Sequence, residues 1–332
     1  MGRFVAFGEI MLRMSPPGRE LLLQTPRFET WVAGAEANVA TALALLGHET
    51  SMVSAVPDDA LGDAAVRTLR GHGVDTRGIQ RRPGRMPLYF VTSGAGMRAT
   101  DVIYDRGHSA FVKAPPESWD WETLLAGADR LHLSGITPAL GCGGRALALQ
   151  TAEAATSRGI PISFDGNYRE RLWATWDSRP RETLLELVAL ADVVFGNRRD
   201  IALLLDERFA SMPERVAAEA AFAAFPKLTL LASTRREVID VNHHCVSARI
   251  DLRDKEVETN KMQITGIVDR IGTGDAFAAG VLHALRGGED ARGAAETGLA
   301  LAGLKHSLPG DASLFKQSDL NALKQGGFDV RR

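Results

Sequence analysis

The feature that most constrains the fold is the regular alternation of apolar, strand-like runs with helix-like segments along most of the chain. The predicted strands lie at residues 4–10, 50–56, 131–135, 160–165, 192–197 and 227–232. The predicted helices lie at residues 32–47, 60–70, 145–157, 181–191, 213–225 and 291–306, with one more beginning at Asp275. This repeated order predicts an α/β fold with a mainly parallel central sheet flanked by helices on both faces. Such sheets bind ligands at the carboxyl ends of their strands.

The alternation is interrupted between residues 81 and 114, where two short β-rich runs are joined by a turn-like segment. This pattern is typical of a hairpin. Residues 11–31 are predicted to be irregular, because three prolines and a glycine interrupt them. We expect one domain over residues 1–332, with a small β-sheet lid formed by about residues 11–33 and 85–114.

The composition excludes several classes of function. The chain has 332 residues and a formal net charge of -2, which does not favour nucleic acid or a membrane surface as a partner. Its two cysteines, Cys142 and Cys245, lie far apart, which argues against a disulfide scaffold or a structural zinc site. No apolar run is long enough to cross a bilayer, and the first residues carry no signal-peptide pattern. These features predict a cytoplasmic protein.

A glycine-containing turn at residues 269–280 runs directly into a helix of small residues. Gly272 and Gly274 allow backbone N–H groups to approach a ligand closely, and a helix N-terminus attracts negative charge. Asp275 places a carboxylate beside the same turn, which suits a base that removes a proton from a hydroxyl attacking a phosphoryl group. The alternative is that Asp275 only caps the helix and the glycines only form the turn.

Polar residues follow two of the predicted strands and are expected to meet at one edge of the sheet. Arg169 follows the strand at residues 160–165 and is suited to bind a carboxylate or a phosphate in bidentate fashion. Asn197 and Asp200 follow the next strand and suit a water-rich Mg²⁺ site, with helix capping as the alternative. Zinc, dinucleotide, phosphate-loop and serine-hydrolase motifs are missing from the sequence.

Taken together, these segments resemble the ribokinase-like sugar kinases, the pfkB carbohydrate kinase family. The resemblance rests on residues 34–40, 57–62, 73–75, 197–200 and 269–280, which follow one another in the family's order. It implies a ribokinase-like fold, an ATP- and Mg²⁺-dependent phosphotransferase, and a β lid over the sugar that also forms a contact between subunits of a homo-oligomer.

The resemblance also implies roles for individual residues. Asp275 is expected to be the catalytic base, and Gly272, Thr273 and Gly274 the anion hole for the transferred phosphoryl group. The expected substrate contacts are Gly34, Asn38, Tyr89, Tyr104, Arg106, Arg169 and Asp275. The expected ATP contacts are Asn167, Asn197, Ser233, Arg236, Gly272, Gly274, Lys305 and Ser307. Asp200 is expected to bind Mg²⁺ through water.

Three positions depart from the family's pattern. Asp200 stands in place of the usual Glu, so its reach to a metal-bound water is shorter. Thr273 replaces an Ala found in many members, which the backbone-based anion hole should tolerate. Residues 232–237 lack the glycines that many members have near the nucleotide.

Within the family, residues 34–38, 104–106 and 165–173 resemble the 2-keto-3-deoxygluconate kinases. Two arginines, Arg106 and Arg169, aimed at one small ligand favour a sugar acid, because a neutral sugar would leave both unpaired in a closed cleft. The implied reaction is ATP-dependent phosphorylation of 2-keto-3-deoxy-D-gluconate to its 6-phosphate. The alternatives are a fructokinase or another ketose kinase of the same family, or a sugar-acid sensor that has lost the reaction. The two arginines disfavour a nucleoside kinase.

Overall fold

The computed structural model describes residues 2–176 and 178–326. The expected domain extends beyond them, and its residue 1 and residues 327–332 lie outside the described residues. The described strands are β1 (Arg3–Phe7), β2 (Met11–Ser15), β3 (Glu29–Ala33), β4 (Thr50–Val56), β5 (Ile79–Arg81), β6 (Leu88–Thr92), β7 (Asp101–Asp105), β8 (Ala128–Ser134), β9 (Ile162–Asp165), β10 (Val193–Phe195), β11 (Leu230–Asp240), β12 (His243–Leu252), β13 (Glu256–Glu258) and β14 (Met262–Thr265).

The described α-helices cover both faces of the main sheet, and α10 carries the candidate base. They are α1 (Ala35–Leu45), α2 (Ala60–Gly71), α3 (Trp121–Leu125), α4 (Ile136–Ala139), α5 (Cys142–Thr156), α6 (Glu170–Trp173), α7 (Pro180–Ala189), α8 (Arg198–Leu204), α9 (Glu214–Ala224), α10 (Thr273–Arg286), α11 (Ala291–Lys305) and α12 (Gln317–Lys324). Short 3₁₀ helices cover Pro116–Ser118 and Glu207–Ser211. None of the helices in the described part of the chain is both long and apolar enough to span a membrane.

The main sheet has the strand order β13-β12-β11-β10-β9-β8-β1-β4-β5, with β14 also paired to β12. The strands from β11 to β5 run parallel, and β12 turns the chain back antiparallel to β11. All residues of β4 are buried, as expected for a parallel strand covered on both faces. The predicted α/β fold with a mainly parallel sheet is confirmed.

Alternate residues of the central strands pack into different cores. Val194 points into a core formed with α5, α7 and α9, whereas Val193 and Phe195 point into a second core formed with α1, α10 and α11. Helices α10 and α11 pack closely because each has a glycine where the two helices cross. A Cβ on Gly280 would lie 2.8 Å from Gly298 Cα. This packing fixes α10 against the sheet.

A second, four-stranded sheet has the order β3-β2-β6-β7. Strands β2 and β6 are parallel, and the other two pairs are antiparallel. The prediction of irregular structure over residues 11–31 was wrong at Met11–Ser15 and Glu29–Ala33, because the prolines are confined to the connection between these strands. The four strands lie within the two segments expected to form a lid, and closure of this sheet over a ligand stays a prediction.

Candidate active site

The candidate active site is a cleft of about 680 Å³ between the carboxyl ends of the parallel strands and the second sheet. Most of the residues singled out from the sequence line it. They are Gly34, Asn38, Tyr89, Tyr104, Arg106, Asn167, Arg169, Asn197, Asp200, Ser233, Arg236, Gly272, Thr273, Gly274 and Asp275. The sheet therefore brings together side chains that are more than 200 positions apart in the sequence.

Two residues expected to contact ATP, Lys305 and Ser307, do not line this cleft. Lys305 is fully buried at the end of α11, and its Nζ donates to the Leu308 carbonyl over 3.1 Å. Ser307 is exposed, and its hydroxyl donates to the Leu304 carbonyl over 2.7 Å. Helix α11 ends at Lys305, and both side chains donate to carbonyl groups close to them in the chain.

The glycine turn enters α10 with Gly272 as the residue before the helix, in the left-handed conformation with φ of 76°. The Asp269 carboxylate accepts from the Ile271 N–H over 2.9 Å and so fixes the start of the turn. Helix α10 has no side-chain cap, so Asp275 does not act as a cap. The capping alternative for Asp275 is thereby removed, and the first-turn N–H groups stay available to an anion.

Asp275 is held by one hydrogen bond from the opposite helix. Asn38 Nδ2, on α1, donates to Asp275 Oδ2 over 2.7 Å. The pKa of Asp275 is raised to about 7, mainly by burial, with a further contribution from the carboxylates Asp165 and Asp311 and against the opposing effects of Asn38 and Arg169. A carboxylate with a pKa near neutrality and with a single fixed partner is suited to general-base chemistry.

Two further carboxyl groups in the cleft were not singled out from the sequence. Burial raises the pKa of Glu36 to about 7, and the Ser134 hydroxyl donates to its Oε1 over 2.6 Å. Burial likewise raises the pKa of Asp165, at the end of β9, to about 7. Both residues stand inside segments that resemble the family, so their position in those segments was an available signal.

Arg106 is already paired inside the protein, which corrects the expectation that it would be unpaired without an acidic ligand. Its Nε and Nη2 donate to Glu9 Oε2 over 3.0 and 2.7 Å, and Glu9 is only 2% exposed. The guanidinium also lies 5.6 Å from the centre of the Tyr104 ring. Arg106 lines the cleft, and its Nη1 has no hydrogen-bond partner among the described residues. Sequence reasoning missed Glu9, because it lies far from Arg106 in the chain.

Arg169 differs from Arg106. It is exposed at the edge of the cleft, and within residues 2–176 and 178–326 it forms no ion pair shorter than 4.0 Å. Its one hydrogen bond is to the Tyr168 carbonyl over 3.3 Å. The charge argument for an acidic ligand therefore rests on Arg169 rather than on two equivalent arginines.

Asn197 and Asp200 form a capping box at the start of α8. The Asn197 side chain accepts from Arg199 N over 2.8 Å, and Asp200 Oδ2 accepts from Asn197 N over 2.8 Å. Burial raises the pKa of Asp200. The capping alternative accounts for these bonds, and contacts of the two residues with ATP or Mg²⁺ stay predictions.

The end of the cleft opposite to Arg106 contains guanidinium groups without acidic partners. Arg236, on β11, and Arg270, before the glycine turn, form no ion pair with any residue that the structure describes. Burial and the charge of Arg270 both lower the pKa of Arg236. Two guanidinium groups close enough to repel suit a ligand with several negative charges, such as a polyphosphate. Sequence reasoning singled out Arg236 and missed Arg270.

Among the described residues, no group of three or more His, Cys, Asp or Glu side chains is arranged to hold a metal ion. Asp165 and Asp200 nevertheless place carboxylate oxygens in the cleft. Oxygen ligands in small number fit Mg²⁺, which keeps several waters and is completed by the phosphates of a nucleotide.

The comparisons with known proteins agree with this geometry. The model of the family described as pfkB family carbohydrate kinase matches residues 1–317. A 2-dehydro-3-deoxygalactonokinase of Haloferax volcanii is 32% identical over 97% of this chain and 96% of its own length. A protein of Arabidopsis thaliana named as a probable chloroplastic fructokinase is 28% identical over 85% of this chain and 69% of its own.

Among solved structures, the 2-dehydro-3-deoxygluconokinase of Thermotoga maritima is 35% identical and superposes with a TM-score of 0.91. The match covers 98% of this chain and 100% of that protein. The chain belongs to the pfkB family of carbohydrate kinases and is a phosphotransferase.

Proposed function

We propose that the protein phosphorylates the terminal hydroxyl of 2-keto-3-deoxy-D-gluconate, with ATP as donor and the 6-phosphate as product. The observation that carries the proposal is one cleft lined by the Asp275 carboxylate, the glycine turn and the unpaired Arg169. The relatives named for 2-dehydro-3-deoxy sugar acids support an acidic substrate. The galactonate epimer is an equal candidate. The proposed contacts recognise the carboxylate, which both epimers carry, and do not recognise the hydroxyl whose configuration differs between them.

In the proposed reaction, the oxygen of the C6 hydroxyl attacks the γ-phosphorus of ATP, and Asp275 removes the proton of that hydroxyl. The bond between the γ-phosphorus and the bridging oxygen breaks, and ADP leaves. The proton stays on Asp275 and later passes to solvent. The N–H groups of Gly272, Thr273 and Gly274 face the transferred group, whose charge they stabilise.

The sugar acid is proposed to bind between the two arginines. Arg169 pairs with its carboxylate, and Arg106 donates from the nitrogen that Glu9 leaves free. The rings of Tyr89 and Tyr104 are stacked 5.8 Å apart and form an apolar wall of the same cleft, which Gly34 also lines. Asn38 holds Asp275 toward the hydroxyl.

ATP is proposed to bind at the other end of the cleft, with its phosphates between Arg236, Arg270 and the glycine turn. Ser233, Asn167 and Asn197 are the further polar groups on this side. Asp200 is proposed to hold Mg²⁺ through water, and the ion would neutralise phosphate charge during transfer.

An assay of ADP release over a panel of acceptors tests this proposal. Turnover is expected with 2-keto-3-deoxygluconate or its galactonate epimer, and not with fructose, ribose or a nucleoside. Turnover with fructose and none with either acid would establish the ketose kinase instead, which the Arabidopsis relative makes the second candidate. Binding of a sugar acid with no ADP release from any acceptor would support the catalytically silent sensor.

We also propose that the protein forms a homo-oligomer through the second sheet. Ile103 on β7 is 50% exposed, and Leu23 in the connection before β3 is 75% exposed. Large apolar side chains exposed on one small sheet and its connection favour a protein contact. A monomeric mass in solution by light scattering would contradict this proposal.

Replacing Arg169 by Gln is expected to raise the KM for the sugar acid by about 10- to 100-fold, because a charge-assisted hydrogen bond contributes roughly 1.5–3 kcal/mol. The effect on kcat should be smaller, since Arg169 is proposed to bind the carboxylate and not the reacting hydroxyl. The control is Arg171→Gln, which removes a neighbouring exposed arginine that does not line the cleft. Equal KM values in the two variants would remove Arg169 from its role.

The rate is expected to fall as the pH drops below about 7, because Asp275 must be ionised to accept a proton and burial raises its pKa to about 7. The measurement is kcat/KM for the sugar acid between pH 5 and 9. Asp165 is a neighbouring carboxylate that raises the pKa of Asp275, so Asp165→Asn should move the acid limb of the profile to lower pH. An acid limb at the same pH in both proteins would show that another group controls it.

A further inference from the structure

A buried cluster of ionised groups lies beside the glycine turn, and one of its members, Asp311, also lines the cleft. Arg13, on β2, is only 2% exposed, and its Nη1 lies 2.5 Å from Asp269 Oδ2 and 3.1 Å from Asp311 Oδ1. Its Nε donates to Ser15 Oγ over 2.9 Å, and its guanidinium lies 5.1 Å from the centre of the Trp31 ring. Arg13, Asp269 and Asp311 are called the buried ion cluster below.

The two acidic residues of the buried ion cluster both contact the backbone that shapes the turn, Asp269 through its carboxylate and Asp311 through its main-chain carbonyl. The Asp269 carboxylate accepts from Ile271 N over 2.9 Å and from Gly310 N over 3.2 Å, which joins the turn to the segment before Asp311. The Asp311 carbonyl touches Gly272 so closely that a Cβ there would lie 1.8 Å from it. A shift of Asp269 would therefore disturb the turn at Ile271, and a shift of Asp311 would disturb it at Gly272.

The second sheet is anchored to the same point. Arg13 comes from β2, and the Tyr89 hydroxyl, on β6, donates to Asp311 Oδ2. The Trp31 ring, on β3, packs against Gly310. Three strands of the second sheet, of which β2 and β6 line the cleft through Met11 and Tyr89, thus meet the turn that is proposed to hold the phosphoryl group, and Arg13 contacts both carboxylates.

The charges explain why a guanidinium is needed here. Two buried carboxylates beside a turn that receives phosphate would repel each other and the ligand. Arg13 meets both carboxylates through Nη1 and keeps Nε for Ser15, whereas a lysine has one nitrogen for all three partners. Lys305 adds a second buried cation near Asp269 and Asp311, and burial lowers its pKa while these two carboxylates oppose that shift.

We propose that Arg13 is a positioning residue for phosphoryl transfer: through Asp269 and Asp311 it holds the Gly272–Gly274 turn in the geometry that receives the γ-phosphoryl group. Arg13 itself does not line the cleft. The proposal rests on the assignment of this turn as the phosphoryl site in the proposed function. It does not depend on which sugar acid is the acceptor.

The test compares the affinities of each variant for ADP and for a non-hydrolysable ATP analogue, adenylyl imidodiphosphate, because only the analogue carries a γ-phosphoryl group. In Arg13→Lys, the preference for the analogue should fall by about 10-fold and kcat by about 100-fold, the loss typical of one misplaced anion-hole donor or a shift of about 1 Å. The affinity for ADP should stay within about 3-fold of the wild-type value, because ADP has no γ-phosphoryl group to meet the turn.

A second variant, Arg13→Ala, leaves a cavity shaped for a guanidinium ion. Added guanidinium chloride, well below denaturing concentration, should raise the kcat of Arg13→Ala by at least about 10-fold if Arg13 acts by positioning the turn. The matched control is Arg249→Met, which removes a partly buried arginine paired to Asp251 on β12, away from the cleft. It should leave the analogue preference and kcat near those of the wild type.

The outcomes are distinct. A wild-type preference for the analogue in Arg13→Lys, or an equal loss of ADP and analogue affinity, would overturn the proposal, because a merely structural ion pair affects both ligands alike. If Arg13→Ala is insoluble, Arg13→Lys alone decides the question. If the wild type turns over no acceptor, the proposed function fails, while the two nucleotide affinities still test the role of Arg13.

Discussion

Replacing Asp275 by Asn is expected to lower kcat by about 10²- to 10⁴-fold, the usual contribution of a general base. The asparagine oxygen can still accept the hydrogen bond from Asn38, so the geometry of α1 against α10 should be kept. The dissociation constant of ATP should therefore change little. Steady-state kinetics and calorimetric titration of ATP measure the two quantities. A kcat within about 3-fold of the wild type would show that Asp275 is not the base.

The same substitution is expected to stabilise the protein at alkaline pH. Because burial raises the folded-state pKa of Asp275 from 3.8 to about 7, the folded protein binds this proton more tightly than the unfolded chain does. The ionised side chain thus destabilises the fold progressively from about pH 4 to pH 7, and fully above it. At about 1.4 kcal/mol per pKa unit, removal of the charge should raise the free energy of unfolding by at most about 4 kcal/mol.

Thermal unfolding measures this effect. Asp275→Asn should raise the Tm by several degrees at pH 8 and have little effect near pH 4, where the wild-type carboxyl is protonated in both states. Asp58→Asn, which neutralises an exposed carboxylate in the turn before α2, is the control and should show no such pH dependence. A Tm that falls equally at both pH values would instead indicate lost packing.

The fold was largely predictable because it follows from patterns in local sequence. The strand at residues 50–56 has the same bounds in the structure, since seven consecutive residues of this run are buried between helices. Residues 227–241 were harder. The strand β11 continues through the polar residues 233–237 because it pairs with β12 over its whole length, and this pairing is not visible in hydrophobic periodicity.

The site was predictable where one short segment contains the chemistry, as in the glycine turn and Asp275. It was less so where a side chain acts through a distant partner. Arg106 was singled out, but the sequence did not reveal that Glu9, nearly 100 positions earlier, pairs with its guanidinium. Lys305 shows the converse: its position in the sequence suggested a contact with ATP, but its side chain is fully buried at the end of α11 and does not line the cleft. Tertiary pairing of this kind has no signature in a single sequence.

Replacing Gly272 by Ala is expected to reduce both stability and turnover, because this position requires a left-handed backbone and has no room for a side chain. Its φ is 76°, and a Cβ would lie 1.8 Å from the Asp311 carbonyl. The left-handed conformation alone costs an alanine about 1–2 kcal/mol, and displacement of Asp311 adds to it. We expect a loss of about 2–4 kcal/mol in the free energy of unfolding and a fall in kcat of about 10²- to 10³-fold.

Gly274→Ala is the matched variant, because a Cβ at Gly274 would meet no protein atom within 4 Å and its φ is not in the left-handed region. An alanine in the first turn of α10 should leave stability unchanged or raise it by about 0.5–1 kcal/mol. If the turn receives the γ-phosphoryl group, the added methyl should still lower kcat/KM for ATP by at least about 10-fold, with ADP affinity little changed. Chemical denaturation and steady-state kinetics on the two variants thus separate what the fold requires of this turn from what the ligand requires. Full activity in Gly274→Ala would place the phosphoryl group elsewhere in the cleft.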